Sequence, residues 1–262
     1  MGNNPVTNLG GKTLSFFQAL GRSGLFFTES LLKIFTYPLP IVKIIEQIYF
    51  IGFKSIFVIC LTALFSGMVL GLQGYYTLVK FGSEGLLGTA VALTLVRELG
   101  PVLTAIMVIA RAGSAMTAEI GIMRISEQID ALETMNINPV KFLVTPRIGA
   151  ALICFPILTA IFDIVGIAGG FITGSVLLGI NPYIYYYRAV ESVVMADVTG
   201  GFIKAVTFAA IVNTVCCYNG FFTHLRTGDF GSKGVSLSTT SAVVNSCILV
   251  LIADYILTSF LL

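Results

Sequence analysis

The sequence predicts an all-α integral membrane protein. An N-terminal interfacial helix precedes five transmembrane helices, and a polar cytoplasmic helix lies between spans two and three. Three observations carry this. Of 262 residues, 56% are hydrophobic and only 11% charged, with mean hydropathy +0.94, whereas soluble domains carry about 25% charged residues. Five apolar segments are long enough to cross a bilayer. The basic residues between those segments alternate in number, as the positive-inside rule requires.

The expected spans cover about 55–79, 86–118, 148–180, 198–222 and 242–262. Lys12, Arg22, Lys33, Lys43 and Lys54 precede the first. Arg124, Lys141 and Arg147 separate the second from the third, and Arg226 and Lys233 the fourth from the fifth. The alternate loops hold only Lys80 and Arg188. Ten against two places the N-terminus in the cytoplasm and the C-terminus outside. No apolar core followed by a small-residue cleavage site marks a signal peptide.

Residues 1–50 read as interfacial amphipathic helices and 51–262 as the membrane domain. Leu14, Phe17, Leu20, Phe27, Leu31 and Ile34 recur at helical spacing between Lys12, Arg22 and Lys33. Ile41, Ile44, Ile45 and Ile48 repeat the pattern against Lys43, Glu46 and Gln47. Such faces suit helices lying in the headgroup region. Between spans two and three, Ile125, Ile129, Leu132 and Met135 define one helical face. Glu127, Asp130 and Glu133 lie on the others, and Asn138-Pro139 is expected to end the helix. This acidic helix is either a solvated connection or a docking element for a soluble partner with a basic groove.

Other functions are poorly supported. Net charge +2 without a basic run excludes a nucleic-acid partner. Cys60, Cys154, Cys216, Cys217 and Cys247 lie in apolar segments without ligand spacing, and His224 is the one histidine, so no metal site is expected. "GGKT" at Gly10–Thr13 has Val6 where a phosphate loop needs glycine, and "GDFGSKG" (Gly228–Gly234) lacks a strand–helix setting. The chain is therefore expected to be no enzyme and to hold no cofactor.

Charges inside the spans are the candidate functional residues. A charge at mid-bilayer costs about 2.5–3.5 kcal/mol on insertion scales. Arg97 and Glu98, placed near the middle of span two, point about 100° apart on a helix and need separate partners. They form either a structural ion-pair network or a headgroup-gripping site, with Gly100-Pro101 able to break the helix beside them. Lys204 and Asp254 either pair with each other or meet a headgroup, while Asp163 reads as structural. Arg111, Glu119 and Arg124 are expected near the cytoplasmic face, fixing span two to the polar helix. In span one, Leu70, Gln73 and Tyr75 either pack or face lipid. "NPYIYYYR" (Asn181–Arg188) reads as an outer aromatic belt.

"RELGPVLTA", "ARAGSAMTAEIG" and "SEQIDALETMNINPVKFLVTPR" resemble the signature blocks of MlaE-type (YrbE) permeases. The resemblance covers roughly Ser55 to Leu262. It implies the permease subunit of an ATP-binding-cassette transporter that moves phospholipid between bacterial inner and outer membranes, maintaining outer-membrane lipid asymmetry. It further implies a homodimer, a cytoplasmic ATPase subunit that binds ATP, a hexamer of lipid-binding MCE-domain subunits and a STAS-domain subunit. Glu127, Asp130, Leu132 and Glu133 would belong to a coupling helix. Leu70, Gln73, Tyr75, Arg97, Glu98, Lys204 and Asp254 would border a phospholipid cavity. The competing functional class is an ion-coupled secondary transporter using Glu98, Asp163 and Asp254; a third is a structural anchor.

Overall fold

The computed structural model describes residues 18, 21–30, 32–33, 41–223 and 231–261, and no strand occurs among them. Among the described residues, five helices are long and apolar enough to cross a membrane: span one (Ile41–Val79), span two (Glu84–Ile125), span three (Val140–Leu177), span four (Met195–Phe221) and span five (Ser232–Leu261). Each exceeds the roughly 20 residues a hydrocarbon core requires, so several turns of the longest reach beyond it. Two short helices connect them: Gln128–Thr134 between spans two and three, and Pro182–Ser192 between spans three and four. The end of the bundle carrying Arg124, Lys141 and Arg147 is called the basic end below.

Several boundaries differ from expectation. Ile41–Ile48 has no buried residue but does not stand alone. It runs through a π-helical turn (Tyr49–Phe53) into span one, because no proline interrupts the backbone ladder there. Gly100-Pro101 does not break span two. The π-turn Leu95–Leu99 just before it widens the helix, and the Gly100 N–H bonds back to the Leu95 carbonyl. The polar helix ends at Thr134 rather than at Asn138-Pro139, because Asn136 adopts a left-handed conformation. Glu127, also left-handed, separates it from span two. The expected four-residue apolar face is split by that turn: Ile129 is buried and Leu132 half-buried, whereas Ile125 and Met135 are exposed.

Close helix approach organises the interior. Spans one and three touch backbone to backbone, so that a Cβ on Gly67 would overlap the Gly166 carbonyl; small residues are the usual means of such contact in membranes. A second apolar cluster closes the basic end, where Phe26 from the helical stretch 21–30 lies 6.0, 5.7 and 6.1 Å from the rings of Tyr218, Phe221 and Phe222. The Thr145 hydroxyl holds the same stretch by donating to the Ser30 carbonyl at 3.4 Å. The predicted face through Leu14, Phe17, Leu20, Leu31 and Ile34 lies outside the described residues, as do Lys12, His224, Arg226 and residues 228–230. Span five is the least enclosed: only 11% of its most apolar window is buried, against 56% for spans two and four.

Candidate functional site

The intramembrane charges converge where spans two, four and five meet. Proline 101 has no N–H to offer the carbonyl one turn earlier, that of Arg97. The Lys204 ammonium supplies the missing donor, its Nζ lying 2.9 Å from Arg97 O. Lys204 also donates to Glu98 Oε2 at 2.5 Å and to the Thr258 hydroxyl at 2.7 Å. Asp254 Oδ1 stands 3.1 Å from the same nitrogen, an electrostatic contact outside hydrogen-bond alignment. Thr258 in turn donates to the Glu98 carboxylate at 3.1 Å. An ammonium has only three donors, so Lys204 is fully engaged, and its side chain is only 3% exposed.

Arg97 turns away from this centre, as neighbouring helical residues must. Its Nε donates to Asp197 Oδ1 at 2.8 Å. Asp197 sits in the first turn of span four, where its other oxygen accepts the Val194 N–H at 3.2 Å; a carboxylate is favoured at that helix end. Spans two and four approach closely here: a Cβ on Gly201 would lie 2.7 Å from the Val96 carbonyl. A pocket of about 40 Å³ lies between Arg97, Glu98, Asp197, Lys204 and Thr258, room enough for ordered water among these polar groups. The cluster is not sealed. The Arg97 and Glu98 side chains are 39% and 37% exposed.

Arg97, Glu98, Lys204 and Asp254 are thus together, while the other predicted cavity residues stand apart. Leu70 and Tyr75 pack against the apolar core from span one, and Gln73 is exposed. Arg97 and Glu98 are level with the first turns of span four and the last turns of span five. They also lie close to mid-depth of span one, since Leu95 packs on Gly166, and Gly166 on Ala63 and Gly67. Asp197 and Thr258 were missing from the sequence reading. Asp197 fell just before the expected span, although an acid three residues after an extended residue is a helix-start signal; Thr258 follows Asp254 by one helical turn. Asp163 lies in a separate crevice with Gly201 on its wall.

At the basic end, Glu127, Asp130 and Glu133 are exposed and Leu132 is half-buried. Asp130 pairs with Arg124 at 2.6 Å. Glu119 pairs with Arg147 at 2.7 Å, tying the end of span two to the start of span three. Arg111 donates to the Phe50 carbonyl, inside the π-turn of span one, and to Ser55 Oγ at 3.3 Å. Arg111 therefore binds span two to span one.

Fold and site define a polytopic α-helical membrane protein that keeps an ionic cluster inside its bundle. Residues 44–260 match the family described as Permease MlaE. The chain is 39% identical to the intermembrane phospholipid transport system permease protein MlaE of Haemophilus influenzae over 259 residues, 98% of this chain and 97% of that protein. It is 42% identical to a probable ABC transporter permease protein of Rickettsia felis over 97% of this chain and 96% of the relative. Protein TRIGALACTOSYLDIACYLGLYCEROL 1 of Arabidopsis thaliana chloroplasts is 38% identical over 82% of this chain and 60% of its own length. The chain belongs to the MlaE permease family.

Proposed function

We propose that this chain is the permease subunit of an ATP-driven phospholipid transporter in the bacterial inner membrane. It exchanges lipid with the outer membrane and so helps maintain lipid asymmetry. The observation that carries the reading is the half-open ionic cluster. Arg97 and Glu98 are more than a third exposed on a bundle whose surroundings are apolar. Such exposure is costly against lipid tails and is relieved if the cluster faces a protein-lined cavity. The sparsely buried faces of spans one and five support a second copy of the chain as the other wall of that cavity.

In this reading the half-open Arg97 meets a lipid phosphate, Glu98 and Asp254 hold the buried Lys204 in place, and the apolar span faces carry the acyl chains. Energy enters from a cytoplasmic ATPase subunit that binds the ATP. It docks on Gln128–Thr134, whose outward surface carries Glu127, Asp130 and Glu133. Movement there reaches the cluster along span two, to which the docking helix is tied by Arg124–Asp130. The π-turns Leu95–Leu99 and Ile109–Gly113 are points where that helix can change register. The N-terminus and the basic end lie in the cytoplasm, and the C-terminus in the periplasm. MCE-domain subunits continue the lipid path outside, and a STAS-domain subunit completes the complex.

The ion-coupled alternative, which used Glu98, Asp163 and Asp254 together, is disfavoured. Two of these carboxylates share Lys204, while Asp163 lies in another crevice. The deciding experiment is purification of the complex from native membranes, followed by lipid transfer between vesicles. ATP-dependent transfer that falls at least about tenfold in Arg97→Ala or Glu98→Gln, with the complex intact, supports the proposal. Transfer driven by a proton or sodium gradient without an ATPase overturns it.

A further inference from the structure

Where the π-turn Tyr49–Phe53 of span one passes into regular helix, two cations gather over a single ring. The Arg111 guanidinium lies 4.7 Å from the centre of the Phe50 ring. The Lys54 ammonium lies 5.6 Å from the same ring and 5.6 Å from that of Tyr49. Arg111 is anchored through Nη1, which donates to the Phe50 carbonyl and to Ser55 Oγ. Its Nε and Nη2 make no hydrogen bond among the described residues and are not sealed in the interior. Lys54 is exposed. Neither cation takes part in an ion pair among the described residues. Glu46, the nearest acid along span one, acts on Lys43 instead.

Span one sets the depth of this pair. Arg111 reaches Ser55, the first residue of a stretch that carries no charge as far as Val79. Lys54 and Arg111 thus stand at the border of the hydrocarbon, where lipid phosphates lie. Tyr49 and Phe53 are stacked at 5.2 Å, and both are exposed, as is Phe57 one turn further in. These rings form an apolar track leading inward from the cations. A phosphodiester carries one negative charge, and two cations without acids exceed it. A headgroup that brings its own ammonium is therefore repelled, whereas one whose only charge is the phosphate is favoured. We propose that Lys54 and Arg111 bind the phosphate of an anionic phospholipid in the leaflet at the basic end, with an acyl chain along Phe53 and Phe57. Arg111, held by the backbone of span one, fixes the place, and the flexible Lys54 stem closes on the phosphate. The site depends on the chain's lying in lipid and not on the transport reading.

The chain contains no tryptophan, so Phe57→Trp places a single reporter on the track beside Lys54. The full-length variant is reconstituted into phosphatidylcholine vesicles containing brominated phosphatidylglycerol or brominated phosphatidylethanolamine with the same acyl chains, and quenching is titrated. Both lipids carry the phosphate, and only the second adds an ammonium. The expected result is about tenfold or more tighter quenching by phosphatidylglycerol, since each basic residue at a membrane surface is worth about fivefold. Lys54→Gln should cut the preference about fivefold, and adding Arg111→Gln should remove it. Lys54 is exposed and makes no side-chain hydrogen bond among the described residues, so its variant decides the matter even if Arg111→Gln fails to accumulate. The control reporter is Ile157→Trp, exposed on span three at a similar level, where Cys154 faces Gly52. It should show no comparable preference. Inorganic phosphate replacing chloride at matched ionic strength should leave the preference intact; its loss there means that the site takes a free anion, and overturns the proposal. Equal quenching by the two lipids overturns it, as does a preference that survives Lys54→Gln or is as strong at Ile157→Trp. Absence of quenching by either lipid also overturns it, since that means a protein covers the track. None of these readings requires ATP or transport.

Discussion

Lys204 donates to the backbone carbonyl of Arg97 at 2.9 Å, occupying an acceptor that Pro101 leaves unserved. A proline in span two and a lysine in span four thus form one device. The lysine replaces the missing helical hydrogen bond and brings a positive charge to Glu98 and Asp254 at the same point. Removing Lys204 therefore uncovers a carbonyl and two carboxylates together.

Lys204→Met is expected to destabilise the fold by about 3 kcal/mol, the lower part of the range for breaking a buried pair, because Glu98 is open enough to regain water. Thermal unfolding of the detergent-solubilised chain measures this. The triple variant with Glu98→Gln and Asp254→Asn should recover part of the loss, since it removes the stranded charges. An unchanged midpoint in the single variant would mean that the cluster is not a structural unit.

Arg147 presents a different balance. Its side chain is 3% exposed and Glu119 is its one ion-pair partner among the described residues, while Nε and Nη1 are unbonded. Glu119→Gln leaves a buried cation without its counter-charge and is expected to cost about 3 kcal/mol or more. Glu119→Gln combined with Arg147→Met should be less damaging than Glu119→Gln alone. A double-variant cycle in thermal unfolding checks the sign; additive losses would contradict it.

Two glycines of span one give a paired comparison, Gly67 facing span three and Gly74 facing span two. At Gly67 an added methyl meets the backbone of Gly166, which cannot turn aside. At Gly74 it meets the end of the Leu87 side chain at 2.8 Å, which can. Gly67→Ala is expected to cost about 1–3 kcal/mol, the usual range for overpacking, and Gly74→Ala clearly less. The order of the two unfolding midpoints tests this, and a reversal would refute the close packing.

Much of this was readable from the chain, and the failures have physical causes. The spans announced themselves through length and hydropathy, and the adjacent Arg97 and Glu98 had to find separate partners because helical neighbours diverge. Which partners they found was not readable. Asp197 lies at a helix start whose position sets whether it counts as loop or span, and the Lys204–Asp254 pairing depends on a crossing between spans four and five. The π-turns escaped notice because one extra residue in a turn leaves the apolar pattern almost unchanged. Ile125 and Met135 were placed on the docking face by spacing alone. The left-handed residues Glu127 and Asn136 interrupt the helix on either side, and no proline or glycine marks these interruptions.

That interruption leads to the last prediction. The docking helix is short and outward-facing, and its polar residues contribute little to the fold. Asp130 is half exposed in its pair with Arg124, and such pairs are worth about 0–1 kcal/mol. Charge reversal at Glu127, Asp130 and Glu133 should thus leave the unfolding midpoint nearly unchanged. If an ATPase docks there, the same variant should lose most of the co-purifying ATPase and all ATP-dependent lipid transfer. Leu132 supplies the contrast. It is half-buried and packs against the cluster containing Ile129 and Val144, so Leu132→Ala should lower stability and coupling together. A reversed-charge variant that retains its ATPase and its transfer would leave the helix as a solvated connection.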